Sequence, residues 1–196
     1  MRFAEFLLLF FGLVGVYIAV DVPGGPIPVL LVAGALIVVY LRRQRASLIG
    51  ARDFRGVFGL WALVSALTVG AVAVFDRDNL FALPRENPGL WLLIIVFYPL
   101  VSVYPQELIY RAFLLHRYER AFGTGKRAAA ASAAAFGFAH LLFGNVIAVV
   151  ATVAGGWLFA RRYQRTGSLL VVSVEHALYG ITIFTVGLGQ YFYHGA

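Results

Sequence analysis

The chain has 196 residues, of which 61% are hydrophobic and 13% charged; that balance excludes a soluble globular domain and points to a helix bundle in lipid. There is no cysteine, which excludes a disulfide framework and thiolate chemistry. The net charge of +7 lies on arginines clustered between apolar runs, the pattern of membrane flanks, so no nucleic-acid partner is expected.

Seven spans are predicted in chain order. The first runs from about Phe3 to Val20 and is apolar except for Glu5. No small-residue cleavage site ends it, so it reads as a retained span and not as a signal peptide. A turn rich in proline and glycine follows, from Asp21 to Pro28. Val29 to Leu41 is the centre of a second span, stopped by Arg42, Arg43 and Arg45. The basic loop continues through Arg52 and Arg55 to a third span at about Val57 to Phe75. The polar loop from Asp76 to Pro88 divides an N-terminal three-span segment, residues 1–87, from a core of about four helices, residues 88–196.

The fourth helix starts near Gly89, passes Pro99 and Pro105, which should bend it, and continues beyond Glu107 and Arg111 to about Ala121. Gly123-Thr124-Gly125 breaks it. An alanine-rich stretch, 128–135, opens the fifth helix, which ends near Phe143-Gly144-Asn145. The sixth span covers about Val146 to Ala160 and includes Gly155-Gly156; small residues on both helices favour close packing. After a turn at Arg165-Thr166-Gly167-Ser168, the seventh runs from about Leu169 to Leu188. The tail, Gln190 to Ala196, carries Tyr191, Phe192 and Tyr193, suited to an interfacial belt. With the N-terminus cytoplasmic, thirteen arginines and lysines fall on inner loops and two, Arg77 and Arg85, on outer ones. That bias orients the N-terminus inside and the C-terminus outside.

Three stretches interrupt the apolar pattern: Gln106 to Arg111, Phe136 to His140, and Glu175 to Gly180. An ionised carboxylate in hydrocarbon is costly, so a chain that keeps Glu107 there has a use for it. Glu107 and Arg111 are i,i+4 and share a helix face, as do Phe136 and His140. Glu107 lies 17 residues before Thr124 and His140 lies 16 after it, so both sit roughly 25 Å along the hairpin and can face one another. His176, nine residues beyond Gly167, lies roughly 14 Å into its helix. A glutamate and two histidines from three helices can hold Zn²⁺ with an open position, the ligands then being Glu107, His140 and His176. Without metal they can activate water directly, with glutamate as base and a histidine on the oxyanion. The structural alternatives are an ion pair for Glu107 and Arg111 and packing hydrogen bonds for the histidines. Glu175 is adjacent to His176 but on another face.

Glu107 and Arg111, Phe136 and His140, and then His176, in this order, resemble the CPBP intramembrane proteases, which include CAAX prenyl endopeptidases and bacteriocin-processing or bacteriocin-immunity proteins. Their pattern is Glu-Glu-x-x-x-Arg, Phe-x-x-x-His and His-x-x-x-Asn, and the resemblance covers about residues 88–190. It implies an intramembrane endopeptidase of the bacterial inner membrane, acting on a membrane-associated protein or peptide, with Glu107, Arg111, His140 and His176 as catalytic residues. Two positions depart from the pattern. Gln106 stands where the family has its first glutamate, and Gly180 where it has asparagine. A glutamine is no general base and a glycine has no side-chain donor. Three outcomes are therefore expected: Glu107 serves as the base of an active protease, Glu175 supplies a second carboxylate although its helix face argues against this, or the chain is an inactive member that works by binding, as an immunity or scaffold factor.

Overall fold

The computed structural model describes residues 2–20 and 24–193; turn residues 21–23 and tail residues 194–196, with His194, lie outside it. Among the described residues the chain is helical throughout, with no strand. Seven long helices follow in order: α1 (Arg2–Val20), α2 (Ile27–Arg43), α3 (Val57–Phe75), α4 (Pro88–Arg117), α5 (Lys126–Ala139), α6 (Val146–Thr166) and α7 (Leu169–Val186). Five of them, α1, α3, α4, α6 and α7, are long and apolar enough to cross a membrane. The other two expected spans are shorter, at 17 residues for α2 and 14 for α5. Prolines and arginines bound α2, while Lys126 and Arg127 open α5 and a 3₁₀ turn at His140–Phe143 closes it.

The ends of the core helices carry their own signals. The Asn87 side chain accepts the Leu90 N–H at 3.1 Å and Pro88 follows in the first turn of α4. Asn145 caps α6 by accepting the Ala148 N–H at 2.8 Å. Gly167, at φ 62°, ends α6 in the left-handed conformation, and Ser168 caps α7 directly after it.

Helix α4 departs from simple helical geometry twice. It widens into π-helix at Pro99–Val103 and again at Leu108–Phe113, on either side of Gln106 and Glu107. Pro99 and Pro105 have no N–H, so the regular ladder loses donors and the chain relaxes into wider turns. The helix also ends earlier than expected. Tyr118 leaves the helical region, and Glu119–Phe122 is a separate short turn. Glu107 thus lies ten residues from the end of its rod, roughly 15 Å, which matches the depth of His176.

The N-terminal helices wrap the core. Phe11 of α1 packs on Phe138 of α5 at 4.8 Å between ring centroids. Glu5, the one acid of the first span, accepts two bonds of 3.0 Å from Arg117 and one of 3.1 Å from the Tyr118 hydroxyl. Trp61 of α3 donates to Thr182 at 2.9 Å, and Trp91 of α4 donates to Thr185 at 3.0 Å, so two indoles clasp α7. The loop between α2 and α3 is strapped to the α6–α7 turn: the Ala51 N–H donates to the Thr166 carbonyl at 2.8 Å, and the Leu169 N–H to the Leu48 carbonyl at 3.2 Å. Gly50 fits there because any Cβ would strike the Thr166 carbonyl oxygen and the Gly167 backbone.

Helices α5 and α6 meet through small residues. A Cβ on Gly156 would lie 3.0 Å from the Ala133 Cα and 3.2 Å from Phe136. Gly156→Val is therefore expected to destabilise the fold by about 1–3 kcal/mol through overpacking. Gly59→Val, with nothing within 4 Å of its Cβ, is expected to leave stability unchanged. Thermal unfolding of the two variants in detergent makes the comparison.

Candidate active site

The Glu107 carboxylate is fully buried. Its Oε1 accepts a hydrogen bond of 2.8 Å from His176 Nδ1 on α7. Its Oε2 lies 3.1 Å from Arg111 Nε, close enough for an ion pair but out of line for a hydrogen bond. Arg111 is fully buried as well. Its Nη1 donates to Ser132 Oγ at 3.0 Å, and Ser132 in turn donates to the Tyr110 carbonyl at 2.8 Å. The rest of the guanidinium is met by aromatic faces, with Cζ 4.7 Å from the Phe136 ring centre and 5.6 Å from that of Phe159. Removing either partner of such a pair leaves a buried uncompensated charge, which costs about 3–5 kcal/mol.

His176 is set by this carboxylate and by rings. Phe159 stacks on it at 4.7 Å, and Phe136 meets it edge-on at 5.5 Å. Because the carboxylate accepts, Nδ1 carries the proton, and a neutral His176 keeps a lone pair on Nε2. That nitrogen lies 3.5 Å from the Tyr98 hydroxyl.

His140 is placed differently from the expectation of a direct meeting with Glu107. Its ring packs against Phe136 at 4.5 Å, and its Nδ1 donates to the Phe136 carbonyl at 2.7 Å. Phe136 touches both histidine rings, so the two polar positions flank one aromatic side chain. The carbonyl fixes the proton on Nδ1 and leaves the His140 Nε2 lone pair free to accept.

A cavity of about 440 Å³ adjoins these groups. Tyr98, Ser102, Gln106, His140, His176 and Gly180 form its polar side, and Leu60, Val64, Ile147 and Leu158 part of its apolar side. Gln106 lines the cavity, whereas Glu107 and Arg111 do not. Gln106 Nε2 donates to Ser102 Oγ at 2.8 Å, while its Oε1 is buried with no partner among the described residues. A buried carbonyl oxygen without a donor is a standing acceptor for a bound water or a substrate N–H.

The zinc alternative has no donor set here. Glu107 is committed to His176 and Arg111 away from the cavity, and among the described residues no three His, Asp or Glu side chains are grouped to hold a metal ion. Glu175, the other carboxylate considered, faces away from the site. It accepts two bonds of 2.8 Å from Arg162. Arg162 also donates to the Arg55 carbonyl at 2.9 Å, tying the α2–α3 loop to the core.

Sequence reasoning missed Tyr98, Ser102 and Phe159. Ser102 is i,i+4 to Gln106, a spacing that could have drawn notice in an apolar run. Tyr98 and Phe159 carry no such signal, since an aromatic in a membrane helix is ordinary.

Residues 88–182 match the family described as type II CAAX prenyl endopeptidase Rce1-like. No curated protein and no solved structure matches the chain. The matched segment begins at the first residue of α4 and ends within α7, so it contains Gln106, Glu107, Arg111, His140, His176 and Gly180. It accords with the resemblance to CPBP proteases drawn from the motifs. Over residues 88–182, this chain is similar to the Rce1-like type II CAAX prenyl endopeptidase family.

Proposed function

We propose that the protein is an active intramembrane endopeptidase, with His140 as general base and Glu107 acting through His176. The observation that carries this reading is that both histidines line one cavity with their Nδ1 atoms already committed, which leaves both Nε2 atoms for chemistry. A water in the cavity gives one hydrogen bond to His140 Nε2 and the other to Gln106 Oε1. The water oxygen attacks the peptide carbonyl carbon, its proton passes to His140, and the carbonyl π pair moves onto oxygen. The oxyanion then re-forms the carbonyl, the C–N bond breaks, and His140 returns the proton to the leaving amine. Glu107 orients His176 and Arg111 balances Glu107, so both are positioning residues. The role expected of Glu107 as the base therefore moves, because position 106, not 107, lines the cavity.

The substrate class we assign is a membrane-associated peptide or protein tail. Its apolar part fits between Leu60 and Val64 of α3 and Ile147 and Leu158 of α6, on the cavity's apolar side. The host is a bacterial plasma membrane, crossed seven times with the shorter α2 and α5 included, and with the N-terminus cytoplasmic. We take residues 1–87 as a wrapping segment around the catalytic core, 88–196.

A second reading rests on Gln106 Oε1. An amide at the cavity wall, where the family has a carboxylate, suits an inactive member that binds its target without cutting it.

Quenched fluorescent peptides, with and without a farnesylated C-terminal cysteine, separate the readings when offered to the purified protein. Turnover by the native chain, lost by about 10²–10⁴-fold in His140→Ala with unfolding temperature unchanged, is the expected result. A native chain that binds the peptides without cutting them, while Gln106→Glu cuts them, would establish the binding reading. Glu107→Ala is expected to lower both activity and stability, because it strands Arg111.

The absence of cysteine gives a clean test of orientation. In intact cells, Ser47→Cys, on the basic α2–α3 loop, is expected to resist an impermeant maleimide. Asp78→Cys, between α3 and α4, is expected to react. The reverse pattern would invert the topology.

A further inference from the structure

Position 180 is a glycine for a reason the cavity supplies. A Cβ on Gly180 would lie 2.6 Å from Tyr98 Cζ and closer still to its hydroxyl oxygen. No larger residue at 180 coexists with Tyr98 in this position, because such separations lie well inside van der Waals contact. The phenol of α4 therefore fills the volume that a side chain on α7 would take. It is held edge-on by Phe184 at 5.5 Å and by His176 at 6.4 Å between ring centroids.

Peptide hydrolysis needs a donor for the developing oxyanion, and donors on this cavity are scarce. His140 and His176 both spend Nδ1–H elsewhere, so neutral rings offer only acceptors through Nε2. Thr152, Thr68 and Thr182 donate to the carbonyls of their own helices, at 2.6, 2.8 and 2.9 Å. Gln106 gives one amide hydrogen to Ser102 and keeps a second, and Ser102 keeps its own O–H, but both stand at the position that holds the attacking water in the proposed hydrolysis. The Tyr179 hydroxyl is buried with no hydrogen-bond partner among the described residues, so it bonds to neither histidine, although Tyr179 is also part of the cavity lining. Tyr98 lines the cavity, and its 3.5 Å approach to His176 Nε2 is slack against the usual O–H donor distance of about 2.7–2.8 Å. Its O–H can turn from the imidazole to a substrate oxygen without breaking a strong bond.

We propose that the Tyr98 hydroxyl, admitted by Gly180, donates the hydrogen bond that holds the oxyanion of the tetrahedral intermediate. Tyr98 thereby supplies from α4 the donor that Gly180 lacks on α7. This rests on the endopeptidase reading above. The proton stays on Tyr98; only the hydrogen bond is redirected.

Two measurements on the purified full-length protein test it. In hydrolysis of the quenched peptide, Tyr98→Phe is expected to lower kcat by about 10²–10³-fold with KM within about threefold. Tyr179→Phe is expected to keep kcat within about threefold. Tyr98→Ala removes the phenol, and Tyr98→Ala/Gly180→Asn, which places an amide donor in the vacated space, is expected to regain at least about tenfold over Tyr98→Ala. The second measurement needs no turnover. A peptidyl phosphinate, an anionic tetrahedral mimic, is expected to bind Tyr98→Phe at least about tenfold more weakly than the native chain, while the peptide amide of the same sequence binds both alike. Equal binding of the phosphinate to both proteins overturns the proposal, as does a Tyr98→Phe variant with unchanged kcat. A native chain without turnover that still discriminates the phosphinate through Tyr98 would sink the protease reading and leave the oxyanion donor standing.

Discussion

The carboxylate of Glu107 is the constraint around which the core is arranged. A charge with no exposure in an apolar bundle must be met on every side. Arg111 meets it from the same helix, one turn on, and His176 meets it from α7. Each partner then needs its own support. Ser132 and the rings of Phe136 and Phe159 hold Arg111, and the same two rings hold His176. Helices α4, α5, α6 and α7 are thereby bound through one cluster in which a polar centre is wrapped by aromatic faces.

That wrapping separates the charges from the cavity. Glu107 and Arg111 stay behind, and what faces the opening includes two imidazole edges, an amide and a phenol. Neutral groups suit an apolar cleft because they can be partly desolvated without the cost of a bare charge. The ion pair acts at one remove, by fixing the tautomer and angle of His176. The carbonyl of Phe136 does the same for His140 with no charge at all.

The π turns of α4 explain why neighbouring residues take such different roles. Gln106 opens on the cavity and Glu107 closes on Arg111, with a widened turn before and after them. In a uniform helix adjacent residues diverge by about 100°, and widened turns add a further local rotation. The prolines that provoke the first widening are visible in the sequence. The rotation they produce is not, because it depends on which carbonyls find alternative donors once neighbouring helices are in place.

The helices, their order and the three polar stretches were legible in the sequence by itself, since apolar length, proline, glycine and arginine mark them locally. The placing of Glu107 and Arg111 on one face followed from helical spacing, and they pair. Partners across helices were not legible. The depth count from Thr124 put Glu107 opposite His140, but the rod ends at Arg117, and the shorter distance sets it level with His176 instead. Two of the expected spans proved to be shorter helices because charges and prolines bound them. Tertiary structure alone decided that position 106 faces the cavity and that Tyr98 fills the space above Gly180. Periodicity determines which residues share a face of one helix; which faces meet depends on where each helix ends, how far it is unwound and what its neighbours exclude.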